Sequence, residues 1–173
     1  MEYVPLTNGD LERALGVSAD DVIVYSKLKE YASIDELLPE PYDFRIILIE
    51  ETQNKGHWVA LMRQDATYVY FNSYGHKYDK DLYMVSRIMR RILGQESNEI
   101  GRLLAGKHVV YNKVKYQGDK TSTCGRWVVL AVEMMTKLGY SLDQFHEFMR
   151  KHKKRGETFD ALVCRFVPIQ STA

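Results

Sequence analysis

Apolar and polar positions in the middle of the chain follow patterns that predict β-strands. Residues Phe44 to Glu50 are β-rich and almost continuously apolar, as expected of a central strand. Two further runs, His57 to Arg63 and Thr67 to Asn72, follow after short polar turns. This spacing predicts an antiparallel meander of three strands.

The second hairpin of the meander decides which side chains meet. A turn centred between Gln64 and Asp65 places His57 opposite Asn72, whereas a three-residue turn centred on Asp65 places it opposite Ser73. Directly opposed residues of an antiparallel pair lie only ~4.5–5.5 Å apart. The hairpin can therefore bring an imidazole and a carboxamide together at one edge of the sheet.

Periodic patterns predict further elements on both sides of the meander. Before it we expect a short helix near Leu11 to Leu15, an edge strand at Asp21 to Tyr25 and a helical turn at Ile34 to Leu38. After it we expect helices over Asp79 to Leu93 and Glu99 to Ala105, a strand over Lys107 to Tyr116, a buried helix from Cys124 through Met135, and an amphipathic helix over Leu142 to Lys153. Thr158 to Val167 fits a helical turn followed by a strand.

These elements predict an α+β fold with a mixed β-sheet whose antiparallel meander packs against a central helix that starts at Cys124. The length of 173 residues favours a single domain. We divide it into an N-terminal layer (1–43), a core (44–138) and a C-terminal helix and tail (139–173), in which Gln170 to Ala173 are the tail.

Composition and charge indicate in which compartment and with which partners the protein acts. The net charge is +1, and no run approaches the length that spans a membrane, so we expect a soluble protein with no membrane partner. The two cysteines, Cys124 and Cys164, fit a reducing compartment and give no metal-ligand spacing. We expect neither a metal nor another cofactor, and a monomer.

Cys124 is the candidate nucleophile. A polar segment delivers it to the start of an apolar helix, where free N–H groups and the helix dipole favour the reactive thiolate. Gly125 leaves the backbone open beside the sulfur, so that a substrate carbonyl can approach. Taken alone, a cysteine that begins an apolar helix is typical of a buried packing residue.

Three upstream residues favour chemistry over packing. Papain-type catalysis needs a cysteine, a histidine that takes its proton, a residue that orients the imidazole, and a donor for the oxyanion. In chain order the sequence supplies His57, Asn72, Gln117 and Cys124. Each is weak evidence alone, but the four together at strand ends and a helix start indicate an active site.

Three segments carry a resemblance to a known family: Gly56-His57-Trp58-Val59-Ala60-Leu61, Phe71-Asn72-Ser73-Tyr74-Gly75, and Gln117 followed by Thr123-Cys124-Gly125-Arg126-Trp127. They resemble the adenain and ubiquitin-like-protein protease superfamily of cysteine peptidases, and within it the maturation proteases of virophages, polinton-like elements and large DNA viruses. The resemblance covers about residues 44–138.

The resemblance implies roles for these residues. Cys124 would be the nucleophile, His57 the general base and acid, Asn72 the orienting residue and Gln117 the oxyanion donor. Trp58 would roof a narrow cleft that admits glycine-like residues. The implied function is an endopeptidase that cleaves viral capsid or core precursors at small-residue sites, in the host cytoplasm (the virus factory) or in the virion.

Position 72 departs from the family pattern, which more often has Asp, or Glu in adenain. Asn72 can accept a hydrogen bond from the imidazole but lacks the charge that would stabilise imidazolium. Two origins stay open: a native asparagine, or a replacement of aspartate that weakens the site.

A basic run near the end of the chain has two interpretations. A solvated helix C-terminus, where cations suit the helix dipole, is favoured. The alternative is a contact with DNA, because adenain is assisted by DNA. The residues concerned are Arg150, Lys151, Lys153, Lys154 and Arg155.

Three other functions fit the same fold. A protease for ubiquitin-like conjugates keeps the chemistry and changes the substrate. An acyltransferase of the same superfamily uses a similar order of His, acid and Cys with acetyl-CoA. A non-catalytic binding module is the third alternative, and Asn72 makes it more credible.

Overall fold

The computed structural model describes residues 4–168, which contain one five-stranded sheet. The strands lie side by side in chain order: Val22–Val24 (β1), Phe44–Thr52 (β2), Lys55–Gln64 (β3), Thr67–Phe71 (β4) and His108–Tyr111 (β5). The β2–β3–β4 meander is antiparallel, and β1 and β5 run parallel to their neighbours. The predicted α+β fold with a mixed sheet is confirmed.

Eight α-helices surround this sheet in the described part of the chain. They are Asn8–Leu15 (α1), Ile34–Leu37 (α2), Lys80–Met84 (α3), Arg87–Ile92 (α4), Glu99–Leu104 (α5), Cys124–Val132 (α6), Leu142–His152 (α7) and Phe159–Phe166 (α8). Helix α6 continues into a π-helical segment, Glu133–Lys137, and short 3₁₀ segments cover Ala19–Asp21 and Tyr25–Glu30. The tail predicted for Gln170 to Ala173 lies outside the described residues.

Both faces of the sheet are covered by apolar side chains, which explains why β2 is apolar at successive positions. On one face Leu48 and Ala60 pack with α6, whose Trp127 is fully buried. On the other face Ile47 and Val59 pack against residues of α2, α3 and α5. The predicted packing of the meander against the Cys124 helix is confirmed.

The β3–β4 hairpin has a different register from the one predicted. Gln64 pairs with Thr67 and Ala60 with Phe71, so the turn consists of the two intervening residues. If this register is continued to His57, its partner is position 74, two residues beyond Asn72. Residues two apart on a strand share a face, so His57 and Asn72 are diagonal neighbours on one face instead of direct partners.

The helix predicted over Asp79 to Leu93 is wrong as a single element. Val85 is extended (φ −78°, ψ 135°), and Ser86 starts α4 by accepting a hydrogen bond from the backbone N–H of Met89. The predicted apolar stripe is therefore split. Leu82 is buried, whereas Ile88 is exposed to solvent.

The strand predicted over Lys107 to Tyr116 is also too long, because pairing ends at Tyr111. Beyond Tyr111 the side chain of Asn112 replaces the backbone hydrogen bonds of the β-ladder. Its Oδ1 accepts from the Asn72 backbone N–H, and its Nδ2 donates to the Asn72 carbonyl. The chain then leaves the sheet. At the C-terminal end, Phe159–Phe166 forms one helix, and the strand expected after a helical turn in this segment does not form.

The predicted start of α7 is confirmed. Ser141 caps the helix and forms a reciprocal capping box with Gln144, and Gly139 before it adopts a left-handed φ of 74°. Within residues 4–168, no helix is long and apolar enough to cross a membrane.

Candidate active site

Cys124 is the first residue of α6, as predicted from the sequence. The preceding Thr123 makes no side-chain cap; its hydroxyl instead donates to Asp160 Oδ1 at 2.6 Å. The first N–H groups of the helix are therefore not capped by Thr123, and their dipoles favour a negative sulfur. Cys124 is buried but lines a cleft.

His57 lies beside this cysteine near the start of β3. Its Nε2 forms a 2.8 Å hydrogen bond with Asn72 Oδ1. An amide oxygen accepts only, so Nε2 carries the proton and Nδ1 is the nitrogen left for Cys124. The ring also stacks on Tyr74, with centroids 4.6 Å apart.

The pKa values of Cys124 and His57 shift toward an ion pair. Burial raises the pKa of the Cys124 thiol, but hydrogen bonding and charge from His57, with the backbone N–H groups of Trp58 and Gly125, bring it below its ordinary value. Burial lowers the pKa of His57, but hydrogen bonding and charge from Cys124, the charge of Asp81 and the hydrogen bond with Asn72 together outweigh burial, and the net shift is upward. A thiolate beside an imidazolium is the reactive form of such a pair.

Asn72 is fully buried and held on every side. Its Oδ1 also accepts the backbone N–H of Tyr74 at 2.9 Å, and its Nδ2 donates to the buried carboxylate of Asp81. Its backbone pairs with the side chain of Asn112. These contacts fix the amide with its oxygen toward His57.

Gln117 is placed near Cys124 by a loop that pairs with the end of β4. The backbone N–H groups of Tyr116 and Gln117 both donate to the Ser73 carbonyl. The Ser73 hydroxyl donates to Gln117 Oε1 at 2.7 Å, and Gln117 Nε2 donates to the Thr121 carbonyl at 2.7 Å. Gln117 also lines the cleft, and its Nε2 has a second hydrogen that can donate.

Asp160 holds the loop that carries both Gln117 and Cys124. Its carboxylate accepts from the Gly118 backbone N–H at 3.1 Å and from the hydroxyls of Thr121 at 3.0 Å and Thr123 at 2.6 Å. Asp160 lies at the second position of α8, far along the sequence from the loop. It therefore links the C-terminal helix to the active-site loop.

Three of the four predicted site residues, His57, Gln117 and Cys124, line a cleft of about 810 Å³. The fourth, Asn72, lies behind His57. One wall is formed by the N-terminal segment 5–9. We predicted no part of the site from this segment. Trp58, predicted to contact substrate, lines the cleft and is 6% exposed.

Gly125 has a packing role that the sequence did not show. A methyl group on its Cα would lie 3.0 Å from Leu6 Cβ, so glycine permits the N-terminal segment to approach the start of α6. Its contact with substrate stays a prediction. Trp127 is a core residue stacked on Tyr116, with centroids 4.5 Å apart.

The sequence analysis did not identify three residues that contact the candidate site residues or the loop that carries them: Tyr74, Asp81 and Asp160. Tyr74 lies inside a motif that we had identified, so its neighbours Asn72 and Ser73 were a signal for it. Asp81 and Asp160 sit in the first turns of short helices, where acidic residues are common for helix stability alone. No local pattern separates them from ordinary helix-start carboxylates.

No cluster of three or more His, Cys, Asp or Glu side chains suited to a metal ion occurs among residues 4–168. The structure brings together a thiol (Cys124), an imidazole (His57) and a carboxamide (Asn72) in a row, each next to the one before. A second carboxamide, that of Gln117, lies near the thiol. This set matches the requirements of nucleophilic acyl transfer.

Comparisons with known proteins found a related sequence and a solved structure with a weak overlap. No family model matches the chain. Uncharacterized protein V9 of Sputnik virophage is 35% identical over 134 residues, a match that covers 75% of each protein. The crystal structure of the ASFV pS273R protease matches 96% of this chain and 69% of its own chain, with a TM-score of 0.49 and 15% identity. An overlap at that score and identity says nothing about chemistry.

Proposed function

This chain belongs to the family of the Sputnik virophage protein V9, and we propose that it is a cysteine peptidase of the Cys-His-Asn type. The observation that carries the proposal is the hydrogen-bonded pair His57 Nε2 and Asn72 Oδ1, at 2.8 Å, beside a cysteine at the start of α6. The opposed pKa shifts of Cys124 and His57 support it.

The proposed reaction begins with attack of the Cys124 thiolate on a peptide carbonyl. Gln117 Nε2 and the Cys124 backbone N–H donate to the oxyanion that forms. The His57 imidazolium gives its proton to the leaving amine, which departs and leaves a thioester on Cys124. His57 then takes a proton from water, whose oxygen attacks the thioester and releases the acid.

The proposed substrate is a structural precursor of a virus particle, cut at a site that contains glycine. The virophage relative supports a viral setting. The position of Trp58 on the cleft wall, with little exposed surface, suits a substrate that has small residues beside the scissile bond. This substrate class rests on the family resemblance together with the cleft.

The test is cleavage of a panel of fluorogenic peptides with glycine before the scissile bond. We expect turnover by the native chain and by Cys164→Ala, and none by Cys124→Ala. The Cys164→Ala variant is the matched control because it also removes one thiol. Turnover that survives Cys124→Ala would overturn the proposal.

The same samples separate the alternatives. Release of ubiquitin-like conjugates with no peptide cleavage would favour the deconjugating protease. Transfer of an acetyl group from acetyl-CoA to Cys124 would favour the acyltransferase. Absence of every activity, together with a Cys124 no more reactive than Cys164, would favour the binding module.

A further inference from the structure

The carboxylate of Asp81 lies directly behind the proposed triad. It accepts a hydrogen bond from Asn72 Nδ2, and it contacts His76 Nδ1 at 3.1 Å. Asp81 is only 8% exposed. The polar groups thus run without a gap from Cys124 through His57 and Asn72 to a buried carboxylate.

A buried carboxylate is unfavourable unless it has charged or hydrogen-bonding partners. Among residues 4–168, His76 is the one basic side chain within 4.0 Å of the Asp81 oxygens. No lysine or arginine of that part of the chain neutralises it at that distance. Asp81 therefore has one histidine and no lysine or arginine of that part of the chain as a counter-charge, and its carboxylate lies in line with Asn72 and His57.

Asp81 also decides which way the Asn72 amide faces. If the amide were rotated by half a turn, its oxygen would face the Asp81 carboxylate and its NH₂ group would face the Tyr74 backbone N–H. Both contacts would be repulsive. With Asp81 in place, the Asn72 oxygen faces His57 and selects the tautomer that leaves Nδ1 for Cys124.

We propose that Asp81 is a positioning residue that supplies, through the Asn72 amide, the negative charge that aspartate supplies in a Cys-His-Asp triad. The inference rests on the proposed pairing of Cys124 and His57. It also explains how a neutral residue can stand at position 72. The negative charge is that of the Asp81 carboxylate, which lies one side chain farther from the imidazole.

Other titratable groups surround the imidazole and bear on its pH dependence. Cys124 and Tyr74 touch it, Asn72 links it to Asp81, and Tyr70 is buried beside them. The pocket on the same side is lined further by His76, Glu51, Lys115 and Asp119, of which the last two form an ion pair with each other. Asp81 is the carboxylate among them that directly contacts the Asn72 amide.

The experiment is the pH dependence of Cys124 alkylation by iodoacetamide in Asp81→Asn. The variant keeps the shape and an acceptor for Asn72 Nδ2 but removes the charge, so the imidazolium and its thiolate partner become less stable. Near pH 6 we expect alkylation to be about tenfold slower than in the native chain, and near pH 9 within about twofold, because one pKa unit is a factor of ten. Asp20→Asn, the same change at an exposed site, should leave the profile unchanged.

The exchange variant Asn72→Asp with Asp81→Asn keeps the total charge and moves it next to His57. We expect it to restore alkylation near pH 6, which a purely structural role of Asp81 does not predict. It also keeps the test decisive if Asp81→Asn alone fails to fold. An unchanged alkylation profile in folded Asp81→Asn, or no recovery in the folded exchange variant, would overturn the inference.

Alkylation needs no substrate, so this inference and the proposed function can fail separately. A shifted alkylation profile without any peptide cleavage by the native chain would support the role of Asp81 and count against the peptidase. Peptide cleavage with an identical alkylation profile in all variants would support the peptidase and count against Asp81.

Discussion

The orientation of the Asn72 amide is set by its neighbours. An asparagine that could rotate would present either its oxygen or its NH₂ group to His57. In this chain Asp81 and the Tyr74 N–H allow one orientation. The surrounding structure thus holds the carboxamide at position 72 with its oxygen toward His57.

The amide of Gln117 is fixed in the same way, by Ser73 on its oxygen and the Thr121 carbonyl on its nitrogen. In the proposed reaction this preorganised donor acts on the oxyanion and not on the thiolate. We predict that Gln117→Ala lowers kcat by about 10²–10³-fold with a small change in KM. Ser73→Ala should cause a smaller loss, because the amide stays but is less restrained.

Steady-state kinetics on the cleaved peptide measures both variants, and iodoacetamide provides the control. Alkylation of Cys124 should be unchanged in Gln117→Ala and in Ser73→Ala, since neither residue contributes to the pairing with His57. Slower alkylation together with the lower kcat would contradict the assigned role of Gln117.

At the level of elements, the loop before α6 depends on a carboxylate from α8. Removing Asp160 would leave the Gly118 N–H and two threonine hydroxyls without their acceptor. We predict that Asp160→Ala lowers the free energy of unfolding by about 1–3 kcal/mol. It should also reduce turnover, because the loop carries Gln117 and ends at Cys124.

Asp143 offers a matched control for this prediction. It is the second residue of α7 as Asp160 is of α8, and both helices have a hydroxyl cap, but Asp143 is exposed. Asp143→Ala should lower stability by less than about 1 kcal/mol, the contribution of a helix-start charge, and leave turnover unchanged. Equal effects of the two substitutions in thermal unfolding would contradict the proposed role of Asp160.

The sequence predicted the elements whose signals are local. The three meander strands follow from apolar runs, and the starts of α6 and α7 follow from a polar segment and a serine cap. The split between α3 and α4 was missed because the stripe from Leu82 to Ile92 has helical spacing, although Ser86 is itself a capping residue. Spacing does not reveal which positions a neighbouring element will cover.

The end of β5 was missed for a different reason. Lys107 to Tyr116 alternates as a strand should, but the Asn112 side chain replaces the ladder by binding the Asn72 backbone. This contact joins positions 40 residues apart. The same limit applies to the site: His57, Asn72, Gln117 and Cys124 have recognisable contexts, whereas Asp81 and Asp160 reach the site only through tertiary contacts.

At the scale of the whole molecule, the start of α6 connects the two ends of the described chain. Arg126 is buried and donates to the Val4 carbonyl at 2.6 Å and to the Val167 carbonyl at 3.1 Å. The residues after Val4 form a wall of the cleft. The N-terminal layer is therefore part of the site's surroundings, which composition and spacing did not indicate.

The basic run at the end of α7 keeps its two interpretations: a solvated helix end, which is favoured, and a contact with DNA. Its side chains are exposed except for that of Lys153, whose Nζ lies 5.6 Å from the centre of the Phe159 ring. If the run binds DNA, its contacts are with phosphates and depend on salt. We predict that affinity for a short duplex, measured by fluorescence anisotropy, falls by more than about tenfold between ~50 and ~200 mM salt.

Charge-reversal variants distinguish DNA binding by this run from a general attraction of DNA to lysines anywhere on the surface. Lys151→Glu with Lys154→Glu should abolish the binding, whereas Lys27→Glu with Lys29→Glu makes the same change of charge at another exposed site and should leave it nearly unchanged. Equal effects of the two pairs, or no binding by the native chain, would favour the solvated helix end.

The central claim is that His57 activates Cys124, and the two cysteines of one sample test it directly. Burial raises the pKa of Cys164, whereas that of Cys124 is lowered by His57 despite burial. The measurement is the rate of iodoacetamide modification at each cysteine across pH, resolved by peptide mass spectrometry. Near pH 6 we predict that Cys124 reacts at least about tenfold faster than Cys164, and that His57→Ala removes the difference. Equal rates in the native chain, or a Cys124 profile that His57→Ala does not change, would contradict the account.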